Sequence, residues 1–160
     1  KKVERRIITM AKLHEKIYQS DNFEILDMES YISELLEDLF KIKSDLDIEY
    51  KIKVSDCLKL SNDTILYVGL LITELVINVL KHAFTSNKGQ LFISLIVLDN
   101  NRFELKVKDN GKGFDVDSLN SEPNSLGQRL ISSFSRQLNG EVSVDSSEKG
   151  SEFTIVFSEY

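Results

Sequence analysis

Apolar residues recur at Val3, Ile7, Met10 and Ile17, with His14 on the same stripe, in steps of four, three, four and three. That spacing is the a/d seam of a coiled coil or helix bundle. The stripe opens mid-pattern and covers about two heptads, as expected of the end of a longer helix, and Ser20-Asp21-Asn22 breaks it. Asp27 is placed to cap a second helix, with Glu29 in its first turn and Met28, Ile32, Leu35 and Leu39 along one face. Ile48, Tyr50, Ile52 and Val54 alternate with charged residues and predict a half-buried strand. Asp63 is the expected N-cap of a long apolar helix running to about Phe84.

Beyond Asn87-Lys88-Gly89 the period changes from helical to two. Strands are predicted at about Leu91–Leu98 and Arg102–Lys108, joined by the turn Asp99-Asn100-Asn101. A loop from Asn110 to Asn124 leads to a helix from about Ser125 to Leu138, stopped by Asn139-Gly140. Two final strands, about Glu141–Asp145 and Glu152–Phe157, flank a turn at Ser146 to Gly150. Strands that arrive as hairpins predict an α+β, two-layer α/β sandwich, with a mixed, mostly antiparallel sheet covered on one face by helices.

Composition narrows the classes of function. The net charge of -6 argues against non-specific binding to nucleic acid or to an anionic membrane, both of which need a basic face. A phosphate ligand would have to be held by local backbone and a few cations. The single cysteine, Cys57, forms no internal disulfide and fits a reducing, cytoplasmic setting. The apolar run Ile65–Leu80 is interrupted by Gly69, Thr73, Glu74 and Asn78 and is shorter than the ~20 residues that span a bilayer. No signal peptide is read before it, and no membrane contact is expected of this stretch, although a longer parent can carry a membrane segment upstream.

Three segments carry candidate chemistry. On an α-helix Glu74, Asn78 and Lys81 fall within about 60° of one another, with His82 at the edge of the stripe. A carboxylate, an amide and an ammonium can hold hydrated Mg²⁺ and the phosphates it bridges. The same spacing also suits a solvated face on which Glu74 and Lys81 pair. Asp109-Asn110-Gly111-Lys112-Gly113-Phe114 follows an alternating strand and leads towards a helix, so it reads as a glycine-bearing loop. Asp109 could accept a hydrogen bond from adenine N6. Val116 stands where a dinucleotide fingerprint needs its third glycine, and the chain has no Gly-x-x-x-x-Gly-Lys-[Ser/Thr] phosphate loop. In Ser125-Leu126-Gly127-Gln128-Arg129-Leu130, Ser125 is a plausible N-cap and the helix start offers free N–H groups to an anion.

In that order, these segments resemble the N box and the two glycine boxes of the GHKL ATPase superfamily, which includes histidine kinases, gyrase-type topoisomerases, Hsp90 and MutL. Gly150-Ser151-Glu152-Phe153 is similar to its closing Gly-Thr-x-Phe segment, with Ser151 keeping the hydroxyl. Lys81-His82-Ala83-Phe84 and the Ser125–Leu130 box resemble the HisKA_2 and HWE histidine kinases. The chain has no tryptophan for the HWE Trp-x-Glu mark, so HisKA_2 is the nearer group. Met10 to Ser20 resembles that group's second dimerisation helix.

The resemblance implies a Bergerat-type fold, with residues 1–20 a remnant of the dimerisation helix and 21–160 an ATP-binding catalytic domain. It implies ATP and Mg²⁺ as cofactors and a homodimer through the N-terminal helix in the parent. The γ-phosphoryl would pass to a histidine outside this sequence, then to a response regulator receiver domain. His14 lies on the second-helix seam and is not that histidine, so the chain alone is not expected to autophosphorylate and should associate weakly at best. Asn78 would ligate the metal and Asp109 the adenine amine, while Lys81 and His82 would touch phosphates. Gly111, Gly113 and Gly127 would free the lid backbone, with Phe114, Leu126 and Ser151 also at the nucleotide. Glu74 and Lys81 would be catalytic. Glu74 matches the acid that activates water in hydrolytic members, and in a kinase it could orient Mg²⁺ or the imidazole instead. Two alternatives are an anti-sigma-type serine kinase, disfavoured by the heptad leader, and a non-enzymatic nucleotide-sensing or dimerisation module, disfavoured by Glu74, Asn78 and Asp109. An ATP-driven clamp is disfavoured by the short loop 110–124.

Overall fold

The computed structural model describes residues 15, 27–41, 45, 47–56, 58–99, 101–117 and 125–159. The N-terminal heptad stripe, the boundary at residues 20 and 21, Cys57 and the second half of the 110–124 loop lie outside these, apart from Glu15, which is helical.

Helix α1 (Met28–Phe40) starts where Asp27 accepts hydrogen bonds from the Glu29 N–H at 3.1 Å and the Ser30 hydroxyl at 2.6 Å. It buries Met28, Tyr31, Ile32, Leu35, Leu36 and Leu39, the face its spacing predicts. Strand β1 (Asp47–Val54) follows, and helix α2 (Asn62–Asn78) continues into a π-helical turn at Val79–Ala83. The N-cap of α2 is Ser61, not Asp63, which lies in the first turn. Glu159 explains the difference: its carboxylate takes the Ser61 N–H and the Thr64 hydroxyl, both at 2.7 Å. A residue near the chain's far end thus fixes where the helix begins.

Strands β2 (Lys88–Asp99) and β3 (Arg102–Asp109) form one hairpin, and β4 (Glu141–Ser147) and β5 (Gly150–Ser158) another. Between the hairpins runs helix α3 (Leu126–Gln137), opened by a capping box of Ser125 and Gln128. It closes with Asn139 in the left-handed region, Gly140 N–H on the Ser135 carbonyl and Asn139 N–H on that of Arg136, a Schellman stop.

The sheet order is β1-β2-β3-β5-β4, with β1 and β2 parallel and every other pair antiparallel. That is the mixed α+β sandwich expected. Ile93, Leu95, Leu105, Ile155 and Phe157 point into the layer shared with the helices. The opposite face carries charge, with Lys106 between Glu104 and Glu152 and Lys108 on Glu152 at 3.2 Å. The run Asn62–Ala83, 22 residues long, does meet the length and hydropathy of a membrane span. Here it is the core helix, and 72% of its most apolar window is buried.

The Tyr31 hydroxyl is buried without a hydrogen-bond partner among the described residues, and a Cβ added at Gly69 would collide with it. Tyr31→Phe is expected to stabilise the fold by about 1 kcal/mol by removing that unpaired group. Gly69→Ala alone should destabilise by about 1–3 kcal/mol despite its better helix propensity. In the Tyr31→Phe background the same change should be close to neutral, which urea titration of the double-mutant cycle will test.

Candidate nucleotide-binding site

Strand β3 alternates, so Asp109 falls on the same face as Phe103, Leu105 and Val107 and is carried to the rim of the core, only 5% exposed. Its Oδ1 accepts the Gly111 N–H at 2.8 Å, and Ser151, next in register across β5, brings its N–H and hydroxyl towards the same carboxylate. Burial raises the carboxyl above the usual range, while these donors pull the other way. Gly150 is required beside it: at φ +123° it lies against the Asp109 carbonyl, and any Cβ there would overlap that oxygen.

The loop after β3 is pinned at three points. The Asn110 side chain extends the ladder, its Oδ1 taking the Gln90 N–H at 2.7 Å. The Lys112 N–H donates to the Ala83 carbonyl at 2.9 Å, capping the π-turn. The Phe114 N–H donates to Ser146 Oγ at 2.8 Å. Gly113 adopts φ +63° with the Ser147 carbonyl where a Cβ would stand.

These anchors bound a cavity of about 640 Å³. Leu75, Asn78, Val79, His82 and Ala83 form one wall, and Asp109, Lys112, Gly113 and Phe114 another. Ser125, Gln128, Ile131 and Ser132 of α3 close one side, with Val142 and Val144 of β4 and Ser151 and Phe153 of β5 opposite. Among the described residues, the cavity therefore joins an apolar interior to one carboxylate, two amide side chains and two basic side chains, a combination suited to a flat polar ring bearing an anionic tail.

Of the residues singled out from sequence, Asn78, His82, Asp109, Gly113, Phe114 and Ser151 line this cavity; Glu74, Lys81, Gly111, Leu126 and Gly127 do not. Glu74 is 3% exposed within α2, whereas Lys81 is exposed. The π-turn accounts for the division between His82 and Lys81. A π-turn advances roughly 80–85° per residue rather than 100°. Measured from Asn78, that leaves His82 within roughly 30° and turns Lys81 to roughly 110°. The predicted stripe of Glu74, Asn78 and Lys81 assumed an unbroken α-helix and is corrected accordingly. Lys112 and Gln128 lay inside the quoted motifs without being singled out. Val142 and Val144 had no local signal, since only the sheet order, with β5 beside β3, brings the β4–β5 hairpin to this cavity.

The family model described as histidine kinase-, DNA gyrase B- and HSP90-like ATPase matches residues 63–160. The chain belongs to that family. A second model, described as histidine kinase, matches residues 1–43. Among solved structures, the blue-light activated histidine kinase of Erythrobacter litoralis is similar at 24% identity and a TM-score of 0.79, covering 96% of this chain and 47% of its own. The Acinetobacter baumannii histidine kinase AdeS aligns at 18% identity and 0.69, over 98% of this chain and 79% of its own. A mycobacterial sensor histidine kinase, MprB, aligns at 22% and 0.63, over 83% and 95%. At these identities the likeness establishes the fold, and the chain spans about half the length of the first. No curated protein matches the chain.

Asp109 gives this ATPase domain a pH signature. From its ordinary value of 3.8 up to the raised native value, the folded state holds more protons than the unfolded state. Stability therefore falls as pH rises through that window, and neutral pH carries the whole cost. Asp109→Asn cannot titrate, so its stability should decline less than the parent's on raising the pH from 3.8. Denaturant titrations of both proteins across a pH series will measure this; parallel curves would show that the carboxyl is not raised.

Proposed function

We propose that this domain binds Mg·ATP and passes the γ-phosphoryl to a histidine outside the sequence, from which a response regulator aspartate receives it. The observation that carries the reading is the buried Asp109 carboxylate, costly to the fold and open to the cavity. An adenine amine donates to it, while Leu75, Val79, Ile131 and Phe153 offer apolar surface to the ring. Adenine then satisfies an acceptor that burial has made expensive, whereas guanine would bring a carbonyl to the same place.

The phosphates extend towards His82 and Lys112, which the π-turn and the pinned loop hold at the cavity. Asn78, half-buried on the same wall, fits Mg²⁺: this ion keeps much of its water and takes one or two protein oxygens beside the phosphates it bridges. When bound, Mg²⁺ neutralises charge on those phosphates. The remaining work is positioning and electrostatic complementarity. Glu74, buried one turn before Asn78, is placed to orient that wall rather than to meet the nucleotide directly. The parent dimerises through the N-terminal heptad helix and acts in the cytoplasm.

Calorimetry of ATP with Mg²⁺ tests the reading. Asp109→Asn is expected to weaken binding by about ten- to a hundred-fold, the worth of one charge-assisted hydrogen bond. Absence of ATP binding by the folded parent domain would refute the proposal. Phosphotransfer to a separately supplied phosphoacceptor helix then tests the kinase step. In the same titrations, His82→Ala should weaken ATP by more than Lys81→Ala, because the π-turn keeps His82 at the cavity and turns Lys81 away.

A further inference from the structure

Ser146 does not line the cavity, yet three of its neighbours do. On β4 it lies opposite Ser151 of β5, and its hydroxyl donates to Ser151 Oγ over a long 3.5 Å contact. The same oxygen accepts the Phe114 N–H at 2.8 Å. Ser151 in turn stands beside Asp109 and helps hold its carboxyl down against burial. The contacts therefore run from the Phe114 amide through Ser146 to Ser151, beside the carboxylate. Phe114 is the only one of these partners on a loop without regular secondary structure, and its ring stacks on Phe153 at a centroid distance of 6.1 Å and an interplanar angle of 29°. Both rings line the cavity. Gly113, the residue before, is in the left-handed region against the Ser147 carbonyl, so the Gly113-Phe114 backbone is registered on the β4–β5 turn.

We propose that Ser146 is a positioning residue for the nucleotide, pinning the Phe114 backbone to the hairpin that carries Ser151 so that the Phe114–Phe153 wall and the Asp109 carboxylate keep a fixed spacing. The inference rests on the ATP-binding reading above. The loop's other two anchors, at Asn110 and Lys112, lie before Gly113, so losing the Phe114 bond frees the Gly113-Phe114 segment to shift while the sheet pairing of Ser146 with Ser151 remains. The effect should fall on ligand binding rather than on folding, because the bond joins a loop to a strand at the rim of the core. A partly exposed hydroxyl can also be removed without leaving a dry, unpaired group.

Three proteins separate the possibilities: the parent, Ser146→Ala and Ser146→Thr, the last keeping the hydroxyl in a residue suited to a strand. Ser146→Ala is expected to weaken ATP and ADP alike by about three- to ten-fold, the worth of one hydrogen bond. It should leave the Tm unchanged and accelerate hydrogen exchange at the Phe114 amide in nuclear magnetic resonance spectra. Ser146→Thr should restore both affinity and Phe114 protection. Equal affinity in parent and Ser146→Ala, or weaker binding accompanied by a fall in Tm that threonine does not rescue, would overturn the proposal. Failure of the parent itself to bind ATP would sink the nucleotide reading instead, so the two failures are distinguishable.

Discussion

A β-strand sends alternate side chains to opposite faces, and that period of two places a carboxylate in the apolar layer of this protein. Phe103, Leu105 and Val107 point at the helices, and Asp109 is next in the same row. Nothing about the strand allows Asp109 to turn outward without turning its three apolar neighbours outward too. The surrounding structure answers this constraint. Gly111 supplies a donor, Ser151 stands beside the carboxylate, and Gly150 allows the hairpin backbone to come close while a cavity remains in front. A carboxylate disfavoured by burial stands to gain from a ligand that donates to it.

The second determinant is the end of α2. An unbroken α-helix would carry both side chains near Asn78, Lys81 about 60° to one side and His82 about 40° to the other. The π-turn keeps His82 there and turns Lys81 away, and its last carbonyl is satisfied by the Lys112 N–H of the loop across the cavity. Helix end and loop are therefore one structure, and the cavity between them is framed by backbone rather than by adaptable side chains. π-turns concentrate at functional sites because they trade one regular hydrogen bond for a side chain aimed somewhere new.

Much of this was legible in the sequence because the signals were local. Alternation in β3, the a/d face of α1, the Ser125 cap and the Asn139-Gly140 stop all depend on neighbours within one or two turns. The loop bearing Asp109, Gly113 and Phe114 could be read for the same reason. What could not be read depends on contacts far apart in the chain. The α2 cap shifted to Ser61 through Glu159, a partner 98 residues away. Val142, Val144 and Ser146 carry no motif, and they matter because β5 inserts between β3 and β4. The turning of Lys81 away from Asn78 was not legible, because a π-turn leaves no mark in hydrophobic periodicity.

Charge poses a last question, since a chain of net charge -6 is proposed to hold a polyanion. Net charge acts over distances that salt screens within about 8 Å, so the groups that matter are those at the cavity. Across the sheet, Lys106 and Lys108 are occupied with Glu104 and Glu152 and face away from it. The cavity itself pairs one carboxylate with His82 and Lys112 and with the first turn of α3. An acidic protein can therefore present a locally receptive site, with specificity set at Asp109 and charge compensation set at the other end of the cavity. Raising salt should screen the chain's long-range repulsion more than these short contacts, so the overall acidity bears on how fast a nucleotide arrives more than on how tightly it is held.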